Sequence, residues 1–176
     1  MDTRKSLQQP LNDETFIRLN MADGSHEGFV VGLSASFVLL QAIHEYQDVG
    51  ALIVPLDNIE DFDVSDYHDD QLKILAFNSI KRTKRYSWVR LGSFAELFKS
   101  LKVKNKFVVI SMDDEADVGQ IDAVHAESVD VRAVDPGGNW IEGALECAFE
   151  DITLVQFDDS YSRVLQRYVE RAAALN

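Results

Sequence analysis

The side chains of this sequence that could do chemistry include four histidines. They are His26, His44, His68 and His125. None is spaced from another as zinc ligands are, and in His26-Glu27 and His44-Glu45 neighbouring strand residues point to opposite faces. We interpret the four as surface histidines, so the sequence predicts no metal ligands.

The single cysteine, Cys147, is the one candidate thiol nucleophile. Its acidic neighbours Glu146, Glu150 and Asp151 favour the protonated thiol over the reactive thiolate, and so raise its pKa. We therefore predict that Cys147 is a small buried apolar residue.

Alternating acids at Asp113, Glu115 and Asp117 are spaced like the ligands of a calcium loop. Gly119 comes one position late, however, and the twelfth position would be Val124 instead of glutamate. A solvated hairpin loop is the prediction. The sequence also has no nucleophile elbow or glycine-rich phosphate loop, so we predict no catalytic or cofactor-binding residue and expect no enzyme.

One segment, residues 81–90, has the composition of a nucleic-acid contact, because it interleaves cations with aromatic rings able to stack on bases. Its candidate contacts to an anionic partner are Lys81, Arg82, Lys84, Arg85, Tyr86, Trp88 and Arg90. The alternative is a linker that lies across acidic surfaces of the same chain. Docking of that kind is the interpretation we favour.

The charge distribution supports this choice. The net charge is −13, yet residues 81–106 hold nine basic side chains and one acidic one. They lie between two acidic blocks, residues 1–80 and 111–159, which hold fourteen acidic side chains each. These blocks could neutralise the basic segment internally, and they should repel RNA.

The pattern of turns and β-branched runs indicates short antiparallel strands, because their spacing leaves no room for crossover helices. The predicted elements are strands at 16–21, 28–33, 37–43, 50–56 and 59–64, a helix at 67–80, a helix from an N-cap at 93 to about 101, strands at 106–112, 119–124, 129–134, 140–149 and 152–157, and a helix at 160–175. The apolar side of the last helix is predicted to contain Val164, Leu165, Tyr168, Val169 and Ala172.

The order of elements repeats, and so do individual residues. An offset of 91 maps Gly28 onto Gly119 and Val38 onto Val129 without a gap. We infer an internal duplication. The predicted organisation is a first β-barrel with a closing helix at 12–80, a basic connector at 81–92, and a second barrel with leading and terminal helices at 93–176.

The stretch Gly28-Phe29-Val30-Val31-Gly32-Leu33-Ser34-Ala35-Ser36-Phe37-Val38-Leu39-Leu40 resembles the first motif of the Sm-like family of small SH3-type barrels. The resemblance implies mainly β units with flanking helices, here two tandem Sm-like five-stranded antiparallel barrels. It also implies ring assembly through strand pairing, and the binding of uridine-rich RNA by a polar turn residue and an asparagine.

The residues at the RNA-binding positions depart from that family. The turn position holds Ser34 in the first copy and His125 in the second, and the asparagine position holds Val38 and Val129. The Arg-Gly pair of the second family motif is missing as well. We therefore expect the inherited RNA site to be absent.

These observations lead to a non-enzymatic binding or assembly protein that acts through protein–protein contacts or self-association, without a cofactor. The alternative is an RNA-binding protein that uses residues 81–90. No window is apolar and long enough to span a membrane, and no signal peptide precedes the first strand, so we expect a cytoplasmic protein. A catalytic or ligand-carrying cleft would need convergent polar groups, which sequence alone does not locate.

Overall fold

A computed structural model describes residues 3–113 and 115–175 of this chain. It divides the chain into two compact units that meet between Gly92 and Ser93. The elements of the first unit are α1 (Thr3–Asp13), β1 (Phe16–Met21), β2 (Gly24–Leu33), β3 (Phe37–His44), β4 (Gln47–Pro55), β5 (Ile59–Asp63) and α2 (His68–Phe77). Residues 81–92 belong to this unit.

The second unit repeats that order of elements. Its elements are α3 (Phe94–Val103), β6 (Phe107–Met112), β7 (Glu115–Val124), β8 (Ser128–Ala133), β9 (Leu145–Ala148), β10 (Ile152–Phe157) and α4 (Ser160–Ala174). A single 3₁₀ turn precedes the last strand of each unit, Leu56–Asn58 in the first and Phe149–Asp151 in the second. The described part of the chain is thus mainly β with flanking helices, as predicted.

The strand order is also the same in both units. It is β5-β1-β2-β3-β4 in the first and β10-β6-β7-β8-β9 in the second. Neighbouring strands within each unit are antiparallel. Among the described residues, β4 does not pair with β5, and β9 does not pair with β10. Hydrogen bonding therefore does not close either sheet, and the predicted closed barrels are not confirmed.

The duplication extends to the irregularities of the sheets. The register of β2 against β3 shifts between Val30 and Gly32, and that of β7 against β8 shifts between Ile121 and Ala123. The unmatched residues are thus 91 positions apart. The following turns match too: Ser34 N donates to Phe37 O and His125 N donates to Ser128 O, both at 2.9 Å. Bulges bend strands and increase their twist, so both sheets curve at the same point.

Two glycines allow the strands to approach each other just before each bulge. A Cβ atom at Gly28 would overlap the carbonyl oxygen of Gln41, and one at Gly119 would overlap that of Arg132. These pairs also differ by 91 residues. Backbone approach this close needs glycine, which explains why both copies have it.

Each unit covers one sheet face with helices. In the first unit Phe16, Phe29, Ile43 and Leu75 form a buried cluster. In the second, α4 adds Leu165 and Val169 to a cluster with β6 and β7 residues. The side chains of Leu97, Phe98 and Leu101 on α3 are fully buried. These three residues form the core face of that helix.

The N-cap predicted at Ser93 is confirmed. Its Oγ accepts a hydrogen bond from Glu96 N at 3.2 Å. The terminal helix is capped by Asp159, whose Oδ1 accepts from the backbone N–H groups of Tyr161 and Ser162 at 2.9 Å each. Both caps satisfy first-turn donors that have no partner within the helix.

The structure differs from the predicted elements in three places. Helix α1 was not predicted, because its composition is polar and only Leu7 and Pro10 are buried. The predicted strand at 140–149 is wrong over its first half, where residues 140–144 form an irregular segment with Gly143 at φ +85°. The predicted apolar side of α4 is only partly buried, since Val164 and Tyr168 are 53% and 57% exposed.

No helix in the described part of the chain is long and apolar enough to cross a membrane.

The glycine contacts generate a prediction. Gly28→Ala or Gly119→Ala forces a Cβ against a backbone carbonyl, and overpacking of this kind should lower the free energy of unfolding by about 2 kcal/mol. Ser25→Ala, at an exposed position of β2, is the matched control. Urea unfolding followed by circular dichroism measures the difference. Equal midpoints for Gly28→Ala and Ser25→Ala would contradict the close approach.

Candidate functional site

The basic segment 81–90 is docked on the first unit through a buried glutamine. Gln41 is 1% exposed. Its Nε2 donates to Lys81 O at 3.0 Å and to the Asp48 carboxylate at 2.8 Å, while its Oε1 accepts from Thr83 N at 2.8 Å. One side chain thus satisfies backbone groups on either side of Arg82. The structure therefore supports the docked linker over a free one.

Two arginines of the segment are also engaged within this unit. The Arg82 guanidinium donates to Val30 O at 3.1 Å and lies 3.4 Å from a Glu14 carboxylate oxygen. Arg85 pairs with Asp48 at 2.7 Å. The acidic first block therefore does neutralise part of the basic segment.

The remaining candidate contacts divide between core and surface. Tyr86 is 2% exposed, with the Arg85 guanidinium 4.7 Å from its ring centre. Trp88 is half-buried, whereas Lys81, Lys84 and Arg90 are exposed. An aromatic ring must be accessible to stack on a base, so the burial of Tyr86 removes one stacking surface that the sequence suggested.

The docking generates a prediction about Gln41. Gln41→Ala leaves Thr83 N and Lys81 O without their partners and opens a cavity, so the free energy of unfolding should fall by about 3 kcal/mol. Tryptic cleavage at Lys81, Arg82, Lys84 or Arg85 should also become faster.

The matched control is Gln47→Ala, a glutamine substitution at an exposed position of β4. Urea unfolding and timed trypsin digestion compare the two variants. If Gln41→Ala and Gln47→Ala were digested at the same rate, the glutamine would not anchor the segment.

A cleft of about 910 Å³ lies in the second unit, beside β8 and β9. Its lining includes His125, Glu127, Ser128, Asp130, Glu146, Phe149 and Glu150. Four carboxylates and one histidine therefore face one opening. The ring of Phe149 forms part of the wall and is held by stacking on Phe94 and Phe98, at centroid distances of 5.2 and 5.9 Å.

Two pairs of polar side chains contact each other in the cleft. His125 Nε2 lies 2.9 Å from an Asp130 carboxylate oxygen. Ser128 Oγ donates to Glu146 at 2.8 Å. The hydrogen bond between His125 and Asp130, together with the negative charge of that carboxylate, raises the pKa of His125 above its ordinary value. The serine hydroxyl is directed to a carboxylate, so the arrangement is not that of a Ser-His nucleophile pair. It is suited to attracting cationic groups.

Two further candidate residues of the sequence, Cys147 and His68, are buried and partly buried, respectively. Cys147 is fully buried, and burial, with Asp117 and Asp130 nearby, raises its pKa to about 11. The prediction of a buried cysteine is confirmed, and burial is the main cause of the raised pKa, ahead of the nearby acids. His68 accepts a hydrogen bond from Phe16 N at 3.2 Å, so it has a structural role that the sequence did not indicate.

No group of three or more His, Cys, Asp or Glu side chains is arranged to hold a metal ion within residues 3–113 and 115–175. Burial lowers the pKa of His26, which favours its neutral form.

The cleft itself was not predicted, because its walls come from segments about twenty residues apart. The sequence contained a partial signal. In the comparison with the Sm-like family that the sequence resembles, His125 occupies the turn position of the first motif. Phe149 and Glu150 lie in the segment that matches the Arg-Gly pair of the second motif. The sequence did not show that β8 and β9 place these two segments side by side.

Comparisons of this chain with protein-family models, with curated proteins and with solved structures found no match.

The histidine–carboxylate pair generates a prediction. NMR titration should give His125 a pKa above about 6.5, and Asp130→Asn should lower it towards that value. Because protonated His125 is favoured in the folded state, its stabilisation is complete at pH values below the unfolded pKa and is lost as the pH rises through the folded pKa.

The control is Asp122→Asn, an exposed acid on β7 that should leave the His125 titration unchanged. The stability advantage of the wild type over Asp130→Asn should shrink across the same pH interval. An unchanged His125 pKa in Asp130→Asn would refute the pairing.

Proposed function

We propose that this protein is a non-enzymatic binding or assembly protein, built from two Sm-like units, that binds an extended segment of a protein partner along β9. The observation that carries the proposal is the position of β9 at the end of its strand order, directly beside the acidic cleft. A terminal strand presents unpaired backbone N–H and C=O groups on its outer side, and these can pair with an added strand.

The side chains of β9 suit such an addition. Cys147 is buried in the unit, whereas Leu145 on the same strand is 38% exposed and Ile141, just before it, is 50% exposed. Strand β9 pairs with β8 along its length, from Leu145 opposite Val131 to Ala148 opposite Ser128. The strand is thus held on one side while apolar side chains remain accessible for a partner to cover.

The charge of the cleft suggests the chemistry of the partner. Glu127, Asp130, Glu146 and Glu150 line it, with His125 as the one basic side chain. Lysine or arginine side chains on an added strand would find opposite charge there. The protein's own β5 is a poor partner by the same argument, because Glu60, Asp61 and Asp63 make it acidic.

The assignment to Sm-like units rests on three repeated features. Both units place a helix before five antiparallel strands, use the same strand order, and have a bulge followed by a tight turn between the second and third strands. Strongly bent second strands of this kind are what the sequence resemblance implies. Partner binding through terminal strands is also consistent with that resemblance.

The alternative, RNA binding through residues 81–90, has less support. Arg82 and Arg85 are paired within the first unit and Tyr86 is buried. Lys81 and Lys84 remain exposed, so a weak and strongly salt-dependent contact is the most this segment would provide.

A peptide-binding experiment tests the proposal. The probe is a fluorescent peptide in which lysine alternates with valine, and its binding is followed by anisotropy. Wild-type protein should bind it. The double variant Glu127→Lys/Glu150→Lys should weaken binding by about tenfold or more, because two favourable charge contacts become repulsive.

The control is Asp23→Lys/Asp57→Lys, which makes the same charge change at two exposed positions of the first unit. The same peptide with alternate N-methylated backbone nitrogens keeps its charge but cannot add as a strand. Equal binding of the two peptides would overturn strand addition, and binding of uridine-rich RNA in preference to the peptide would favour the alternative.

A further inference from the structure

Helices α2 and α4, each with one capping residue, carry a stripe of apolar side chains that are each at least 40% exposed. On α4 and its C-cap residue Leu175, the exposed large apolar side chains are Tyr161, Val164, Tyr168 and Leu175, at 48%, 53%, 57% and 80%. Their spacing of three, four and seven residues places them on one side of the helix. The side chains of Leu165 and Val169 are buried on a different side.

The stripe on α2 has the same geometry. Tyr67, Ile74 and Phe77 are 73%, 40% and 87% exposed, and their spacing of seven and three residues again forms one line. Asp70 occupies the position between Tyr67 and Ile74. Contiguous exposed apolar surface is a feature of interaction sites.

The two stripes have opposite charge. The α4 stripe is flanked by Arg163, Arg167 and Arg171, with Glu170 as the one carboxylate among them. The α2 stripe is flanked by three exposed acids and one lysine. They are Asp66, Asp69, Asp70 and Lys73, of which the last two pair at 2.8 Å. The net charge of these flanking side chains is therefore +2 on α4 and −2 on α2.

We propose that α4 of one copy of this chain binds α2 of a second copy, so that the protein associates head to tail. The apolar stripes would bury each other, as in the 3–4 packing of helices, and the arginine row would meet the aspartates. Arg171 lies within the line of the α4 stripe and Asp70 within that of the α2 stripe, so these two would pair inside the seam.

Charge also argues against the simplest alternative, an α4–α4 dimer. Such a contact would bring the arginine rows of two copies together, and like charges in contact are unfavourable. An α2–α2 contact would bring the aspartates together for the same reason. Of the three contacts, α4 with α2 is the one that matches both the apolar and the charged residues. This contact joins two different surfaces of the chain, so repeated contacts lead to a ring or to an open chain.

This inference deepens the proposed assembly function but uses a different surface, because neither helix contributes to the edge of a sheet. It therefore predicts self-association even if β9 binds nothing. Conversely, loss of the helix contact leaves peptide binding at the cleft unchanged, so the two proposals fail independently.

Complementary blocking variants test the contact by sedimentation velocity of the full chain. Phe77→Asp blocks the α2 side and Val164→Asp blocks the α4 side, both at exposed positions. Wild-type protein should show a mass that rises with concentration from micromolar to sub-millimolar. Each variant alone should remain monomeric, whereas their equimolar mixture should form a 1:1 dimer through the two intact surfaces.

Val103→Asp is the matched control, because Val103 is 84% exposed but lies on α3, outside both stripes. It should associate as the wild type does. A monomeric wild type, or association of Phe77→Asp and Val164→Asp equal to that of the wild type, would overturn the proposal. Nucleic acid in the wild-type oligomer peak, detected by absorbance and removed together with the oligomer by nuclease, would overturn it too.

Charge exchange tests the seam pair itself. Asp70→Arg and Arg171→Asp should each weaken association by about fivefold, and the double variant should regain much of the loss. Association should also weaken with rising salt. Loss in both single variants without any recovery in the double variant would refute pairing of these two residues.

Discussion

The bend in the second strand of each unit is the constraint on which the rest of the structure depends. A strand such as β2 pairs with β1 through its first half and with β3 through its second half. It curves between these two regions, with a glycine where the backbones approach and a bulge where the register shifts. Gly28 and the bulge after Val30 provide this in the first unit. Gly119 and the bulge after Ile121 do so in the second.

Once the strands are bent, the terminal strands and the turns take positions that straight strands would not allow. In the second unit the turn at His125 comes beside the segment that begins at Phe149, where Phe149 N donates to Glu127 O at 2.9 Å. The equivalent bond in the first unit joins Leu56 N to Ser36 O at 2.8 Å. The same backbone geometry thus supports different side chains, and only the second copy concentrates carboxylates there.

The two copies differ at one position where each makes its own contact. Gln41 and Arg132 occupy equivalent positions 91 residues apart. Gln41 is buried and fastens the basic segment, whereas the Arg132 guanidinium lies 4.1 Å from the ring centre of Trp140. One amide side chain contacts two backbone groups of the basic segment and a carboxylate of β4, and it thereby fastens the segment to the first unit.

Sequence by itself determined the elements and their repetition, because these depend on local pattern. The alternation of apolar residues predicted β1 at its observed bounds, Ser93 predicted the start of α3, and the offset of 91 predicted the matched glycines. The sequence also predicted that Cys147 would be buried. Helix α1 was missed because a polar helix with two buried residues has no clear apolar period.

Tertiary structure alone decided what those elements expose. Val164 and Leu165 are both apolar and adjacent on α4, yet one is exposed and the other buried, and periodicity could not separate them because both fall on a broad apolar side. The anchoring of residues 81–90 depends on Gln41, forty residues earlier. The acidic cleft likewise depends on which distant carboxylates the bent strands bring together, and long-range proximity of that kind is not encoded in any local pattern.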